Sequence, residues 1–291
     1  MSKIALGTVQ FGIDYGVNSV DGQVKPEEVK KILGYARLKG IEFLDAAPAY
    51  GNSEKILGRM NVSNFKVVTK TRHFDSLEIN NNDVKLLNND FNNSLKGLKQ
   101  DRVYAVLVHN ADDLLKPGAK KLFDQLQELK QAEKIVKIGV SVYDHSQLKS
   151  ILDNFDIDLV QLPFNILDRR MIDNGMLSTL RSKGTEVHAR SVFLQGLLLM
   201  SEQNRPDKFN RWSSLWRIWR EWLNDNQITA LEAAIRYAIS MPEISKVLVG
   251  VDNVNQLKEI VTASSGVLPN IPDEMFTNDI DLLNPSNWSA L

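Results

Sequence analysis

The sequence predicts an eight-stranded β/α barrel, on three observations. Eight short apolar runs, rich in Val, Ile and Leu, punctuate the 291 residues. Helical patterns fill the intervals between them. At least seven runs also carry a residue at or near the end that can do chemistry or hold a ligand. IEFLD ends on Asp45, KVVTK on Lys70, VYAVLVH on His109 and IVKIGVS on Ser141; VQL carries Gln161, VHARS ends on Ser191 and VLVG on Gly250. Core packing accounts for the runs. It does not account for polar residues gathering at one end of each, which in a β/α barrel is the face where active sites form.

The candidate strands begin near Ile4, Ile41, Lys66, Val103, Ile135, Ile157, Thr185 and Lys246. Their short, near-continuous apolar character fits strands buried on both faces. Pro26 to Lys39 reads as a helix, with Pro in the first turn and Gly40 past the end. Asp83 to Leu98 places apolar residues at 84, 87, 91, 95 and 98, and Lys116 to Glu133 repeats the stripe with Leu122, Leu126 and Leu129. The Asn-rich tract from Asn80 to Asn93 reads as a solvated loop and helix start. Alternation of this kind calls for parallel strands. The rival, an open doubly wound sheet, would want G-x-G-x-x-G after its first strand, where this chain has GTVQFGIDYG.

The interval after the seventh strand is long. It contains RWSSLWRIWREWL, with Trp212, Trp216, Trp219 and Trp222 at helical spacing. An amphipathic helix burying its aromatic face is one reading; Trp side chains facing a substrate is the other. Ser201 to Asn210 is polar and reads as a lid or mobile segment. The expected layout is one barrel domain over 1–291, with a loop-and-helix insertion over about 197–225 and a tail over about 264–291 that packs across the barrel or covers the site.

Net charge is −1 and there is no cysteine, so nothing favours nucleic acid or an acidic membrane surface, and thiolate metal sites and disulfides are excluded. The four His show neither H-x-H nor H-x-x-x-H spacing, which argues against a metal. MSKIALGTVQFG has no secretory h-region and no run approaches a membrane span. The expectation is a cytoplasmic monomer or weak homo-oligomer with a small-molecule ligand.

Tyr50 lies five residues past Asp45. A phenol, with a pKa of about 10, needs a neighbouring cation to become a useful acid. Lys70 on the adjacent strand can supply that cation, since strands lie about 5 Å apart, and Asp45 would compensate its burial. His109, one strand further, can hydrogen-bond a carbonyl. Together these make a proton donor aimed at a carbonyl oxygen. A Schiff-base role for Lys70 is the more distant chemistry.

DAAPAYGNSE, TKT around Lys70, LVHN around His109, GVS at 139–141, VQLPFN at 160–165, RSVFLQGLL at 190–198 and VLVGVDNVNQL at 247–257 occur in the order and spacing of one family. The chain resembles the aldo-keto reductases, of the bacterial type with a short C-terminal tail, over roughly residues 3 to 262. The resemblance implies an oxidoreductase that reduces an aldehyde or ketone with NADPH or NADH and binds the nicotinamide cofactor without a Rossmann domain. It implies Tyr50 as proton donor, tuned by Lys70 and Asp45, and His109 orienting the carbonyl. Ser141 and Gln161, with Asn165 beside them, would hold the carboxamide. Ser191, Leu194 and Gly196 would line the pyrophosphate path. Gly250, Asn253 and Gln256 would hold the adenosine half, where a helix N-terminus offers N–H groups to phosphate. A cofactor-sensing barrel without catalysis is the alternative, which the intact set of four catalytic types disfavours.

Two positions depart from the family pattern. Position 190 is Arg rather than an aromatic residue. Its guanidinium either stacks on the nicotinamide, disfavouring the oxidised cation, or pairs with a nearby acid. Position 252 is Asp where NADPH-selective relatives carry Lys or Arg. Asp252 favours NADH, the family pattern favours NADPH, and Lys258 is close enough in sequence to rescue a phosphate. Ile260 replaces the Asn often found near the adenine. Arg72, His73, Phe74, Phe11, Tyr15, Phe164 and Arg169 are the candidates for the substrate mouth, which would suit a polar or anionic carbonyl compound such as a sugar or nucleotide-linked sugar.

Overall fold

Eight parallel strands close into a barrel in chain order, each hydrogen-bonded to the next and the last to the first. The computed structural model describes residues 2–15 and 22–291. The strands are β1 Ile4–Gly7, β2 Phe43–Asp45, β3 Lys66–Lys70, β4 Val103–Val108, β5 Ile135–Ser141, β6 Leu159–Pro163, β7 Glu186–Arg190 and β8 Lys246–Val249. Three begin later than the apolar runs predict, two of them because the preceding helix still claims the chain. The Ile41 N–H donates to Ala36 O and the Thr185 N–H to Leu180 O. β6 likewise starts at Leu159 rather than Ile157.

The helices that cover the barrel are short and amphipathic. α1 spans Pro26–Leu38, α2 Ser53–Arg59, α3 Asn81–Leu98, α4 Lys120–Gln131, α5 His145–Leu152 and α6 Met176–Ser182. The Asn-rich tract is helix rather than loop. Only Asn80 stays outside, as the N-cap, in a capping box with Asp83 that satisfies both of their backbone donors. Leu87, Phe91 and Leu98 then face the core. α4 begins at Lys120 rather than Lys116, since Pro117 and the left-handed Gly118 turn the chain first.

The barrel is filled by Ala5, Phe43, Val68, Ala105, Leu107 and Leu159. Below them, at the N-terminal ends of the strands, Glu186 accepts hydrogen bonds from Tyr104 Oη and Lys137 Nζ, both at 2.6 Å, and lies 2.7 Å from His188 Nε2. These contacts close the bottom of the barrel.

Residues after β7 form 3-10 turns and then α7, Ser213–Asp225. Trp216, Trp219 and Trp222 are buried, and none of the four tryptophans of this segment lines the cleft. The indole N–H groups of Trp212, Trp216 and Trp222 donate to Asp279 Oδ2, Phe209 O and Asn270 O, each at 2.8 Å. The aromatic face is therefore core shared with the tail, not a substrate wall. Phe209 is fully buried in the stretch read as a lid, so that stretch is anchored. α8, Ala230–Ser240, and α9, Val254–Ala263, complete the outer layer.

Packing across β4, β5 and β6 is tightest at Gly139. A Cβ there would lie 2.4 Å from Leu107 Cδ2 and 2.5 Å from Leu159 O. Gly139→Ala is expected to cost about 1–3 kcal/mol, as overpacking does in a filled core. A urea unfolding midpoint unchanged from wild type would contradict this.

Candidate active site

Parallel pairing sets Gly7 beside Asp45, Lys70 beside Leu107, Ser141 beside Gln161 and Pro163 beside Arg190. All lie at the top of the barrel, and a cleft of about 630 Å³ opens above them. Asp45, Tyr50 and His109 line one end; Asp252, Gln256 and Glu259 line the other. Lys70 lies beneath, 3% exposed.

Lys70 Nζ donates to both carboxylate oxygens of Asp45 at 2.7 Å, to Ala46 O at 3.2 Å and to Tyr50 Oη at 3.1 Å. Burial works against the Lys70 ammonium, but Asp45 and Tyr50 hold it charged, above the ordinary lysine range. Burial pushes the Tyr50 phenol upward while Lys70 pulls it down, leaving it a protonated acid at neutral pH. An ammonium can only donate, so the phenol oxygen accepts from it. The phenol hydrogen is left for the 3.5 Å contact to Asp45 Oδ2 or for a ligand.

The loop that carries Tyr50 is clamped from below. A Cβ at Gly12 would lie 1.7 Å from Tyr50 O, so only glycine admits this approach. Ser53 Oγ donates to Thr8 O at 2.8 Å, and Thr8 Oγ1 donates to Asp45 O at 2.9 Å. The buried Glu54 accepts from Thr69 Oγ1 at 2.6 Å, behind Lys70. Sequence reasoning passed over Thr8, Gly12 and Glu54, although the last glycine of VQFG and the acid of YGNSE were visible.

His109 faces Tyr50 edge-on, with ring centroids 6.2 Å apart. Burial first, then the Lys70 charge, holds its imidazole down at about 4. It is a neutral hydrogen-bonding group at pH 7. Asp45, Tyr50, Lys70 and His109 are therefore brought together.

The expected cofactor residues divide. Ser141, Gln161, Arg190, Ser191, Gly196, Gly250, Asp252 and Gln256 line the cleft. Leu194 does not: its side chain is fully buried in the core. Nor does Asn253, whose Oδ1 accepts from the N–H groups of Asn255 and Gln256 at 3.0 Å as a helix cap. The N-terminus of α9 is not open to a phosphate as expected, because Glu28 Oε1 also takes the Val254 N–H at 2.9 Å. Asn165 lies behind the wall, 0% exposed, with Nδ2 unpartnered. Lys258 reaches Asn255 Oδ1 and does not line the cleft.

Arg190 pairs with no carboxylate among the described residues. Its guanidinium lies 4.4 Å from the Tyr143 ring centroid and donates to Val142 O at 3.0 Å and Ser191 Oγ at 3.4 Å. Several expected mouth residues are elsewhere. Phe11, Phe74 and Phe164 are core, Phe164 stacked on Tyr237. Arg169 pairs with Asp273 and Asp173, Arg72 with Asp90, and exposed His73 faces Asp75. Tyr15, as expected, does line the cleft, beside Tyr143, Phe193 and Leu199, and Gln195 Nε2 donates to its Oη at 3.1 Å.

Among the described residues, one polar group of the cleft wall is left unsatisfied. Gln10, which lines it, has a buried Oε1 with no partner beside Gly250. Such an atom costs about 1–3 kcal/mol unless a ligand or water satisfies it. Ser191 and Gln195, both in the left-handed region, and Gly196 bend the chain along one wall, where strained backbone commonly marks ligand contact.

Residues 3–278 match the model of the aldo/keto reductase family. The chain is 28% identical over 280 residues to an L-galactose dehydrogenase of Arabidopsis thaliana, covering 89% of this chain and 85% of that one. It is 28% identical over 218 residues to an NADH-specific methylglyoxal reductase of Escherichia coli, covering 68% and 65%. Its fold matches a holo aldo-keto reductase structure from Bacillus halodurans with a TM-score of 0.73 at 20% identity, covering 92% and 88%.

The His109 environment has a pH signature. Its folded value of about 4 lies below the ordinary 6.5. The unfolded chain therefore binds the extra proton first, and stability is lost as pH falls from 6.5 toward 4. His109→Gln removes that loss. Its urea midpoint should fall less than that of wild type between pH 7 and pH 5; equal falls would refute the assignment.

Proposed function

This chain belongs to the aldo-keto reductase family, and we propose from that premise that it reduces an aldehyde or ketone with Tyr50 as the proton donor. The observation that carries the proposal is the Tyr50 phenol at the cleft end, 3.1 Å from a buried ammonium. A reduced nicotinamide held in the cleft would supply the hydride that the carbonyl carbon takes up. Tyr50 Oη gives its proton to the carbonyl oxygen, and Lys70 stabilises the phenolate that remains. Asp45 keeps Lys70 charged, and neutral His109 donates a hydrogen bond to the carbonyl. Ser141 and Gln161, which line the cleft, would hold the nicotinamide carboxamide. Arg190 lines the same cleft, with one face of its guanidinium covered by Tyr143. The intact donor cluster supports catalysis over a purely cofactor-sensing role.

We also propose NADH as the preferred cofactor. Asp252 and Glu259 line the far end of the cleft, and Glu28 occupies the α9 N-terminus that a 2′-phosphate would need. Three carboxylates repel a phosphate, while a free 2′-hydroxyl can donate to one. For the substrate, Arg190 and the two tyrosine hydroxyls at the mouth suit a hydroxylated, sugar-like carbonyl compound. Oxidation of NADH across a panel of aldehydes and keto-sugars tests the activity. Cofactor binding without turnover of any of them would sink it.

Tyr50→Phe should lower kcat about 10²–10⁴-fold, the usual worth of general acid catalysis, while cofactor Kd stays as in wild type. A kcat like that of wild type removes Tyr50 from the role. In fluorescence titrations NADPH should bind at least about tenfold more weakly than NADH, or about 1.4 kcal/mol. Glu28→Gln with Asp252→Ser should narrow the gap; equal affinities in wild type would reverse the cofactor assignment.

A further inference from the structure

Gln161 stands on β6, across the barrel from Asp45 on β2, and is 2% exposed. Its Nε2 donates to Asp45 Oδ1 at 2.7 Å. A carboxylate only accepts, so this bond fixes the amide with nitrogen toward Asp45 and oxygen away from it. No described residue donates to Gln161 Oε1, and that atom is not among the buried unpartnered ones. Gln161 lines the cleft. What it offers a ligand is one acceptor, which suits an N–H donor such as the –NH2 of a carboxamide.

We propose that Gln161 is a positioning residue that links a carboxamide bound in the cleft to Asp45, so that cofactor occupancy changes how Asp45 shares its charge with Lys70 and Tyr50. The proposal rests on the nicotinamide reading above. Asp45 Oδ1 is claimed twice, by Lys70 and by Gln161, both at 2.7 Å. A hydrogen bond accepted at Oε1 polarises the amide and strengthens the N–H bond at its other end, by roughly 10–30% in a chain of such bonds. Asp45 charge is then drawn toward Gln161. That charge helps Tyr50 keep its proton, whereas Lys70 and Arg190 help to release it. His109, the remaining titratable neighbour, is neutral. The donor is thus held protonated in the empty cleft and made more acidic when the carboxamide arrives. No side chain need move.

The test is the Tyr50 ionisation, followed by NMR on protein labelled at the tyrosine ring carbon that bears oxygen, with Tyr50→Phe identifying the resonance. Wild type is titrated alone, with NADH, and with the reduced 3-acetylpyridine analogue, which has no amide N–H. NADH should lower the midpoint by about half a pH unit, a factor of about three in the ionisation constant. The analogue should give less than half of that displacement in unaltered protein, so the comparison does not depend on a variant folding. Gln161→Met should likewise lose most of the NADH effect. Equal displacements with NADH and the analogue, or an undiminished one in Gln161→Met, would overturn the linkage while leaving the reductase reading intact. Failure of NADH and NADPH alike to bind would overturn the cofactor reading, and this linkage with it.

Discussion

A buried ammonium on a buried carboxylate is the interaction on which the top of this barrel depends. Lys70 and Asp45 have side chains 1% and 7% exposed. Removing two charges from water costs several kcal/mol per ion, offset only where geometry is good and the remaining donors and acceptors are used. Here they are used. The three ammonium hydrogens have Asp45, Ala46 O and Tyr50 Oη as acceptors, and the carboxylate accepts from Lys70 and Gln161. Strands β2, β3 and β6 and the Tyr50 loop are thereby joined at one point. A pair this dry is a poor device for stability alone. It becomes intelligible as the means of keeping a cation 3.1 Å from a phenol.

The position of that phenol depends on backbone contact more than on side-chain choice. Gly12 lets the β1 loop press against Tyr50 O, and Gly51, at φ +58, turns the chain out of the loop into α2. Thr8 and Ser53 then hold the β1 loop to Asp45 O and to the start of α2. A rigid mount of this kind matters because proton transfer needs hydrogen-bond distance, and small displacements weaken general acid catalysis steeply. Rigidity here comes from packed main chain, which no rotamer change can relax.

The barrel was legible because its signal is repeated eight times: apolar runs with polar residues at one end survive an error in any one of them. The donor cluster was legible for a related reason, since strand-end residues on β2, β3 and β4 must be neighbours once the barrel closes. Three kinds of feature were not legible. Phe11, Phe74 and Phe164 follow strands but turn inward, and alternation cannot say which side of a loop faces the core. The tryptophans of α7 have the spacing of a buried stripe, yet what covers them is a tail more than 40 residues away, which local pattern cannot supply. The hydrogen bond from Gln161 to Asp45 crosses the barrel between residues 116 apart. It depends on the register of the five strands from β2 to β6 at once.

The cleft is also polarised along its length. At the Tyr50 end the Asp45 charge is neutralised by Lys70, so Arg190, with no carboxylate partner among the described residues, leaves that end net cationic. At the other end Asp252 and Glu259 face the cleft and Glu28 caps α9. In the proposed reaction, positive potential beside the carbonyl would favour the oxyanion that develops as hydride arrives. The charge layout and the proton donor thus point the same way, although Arg190 has no part in holding the donor cluster together.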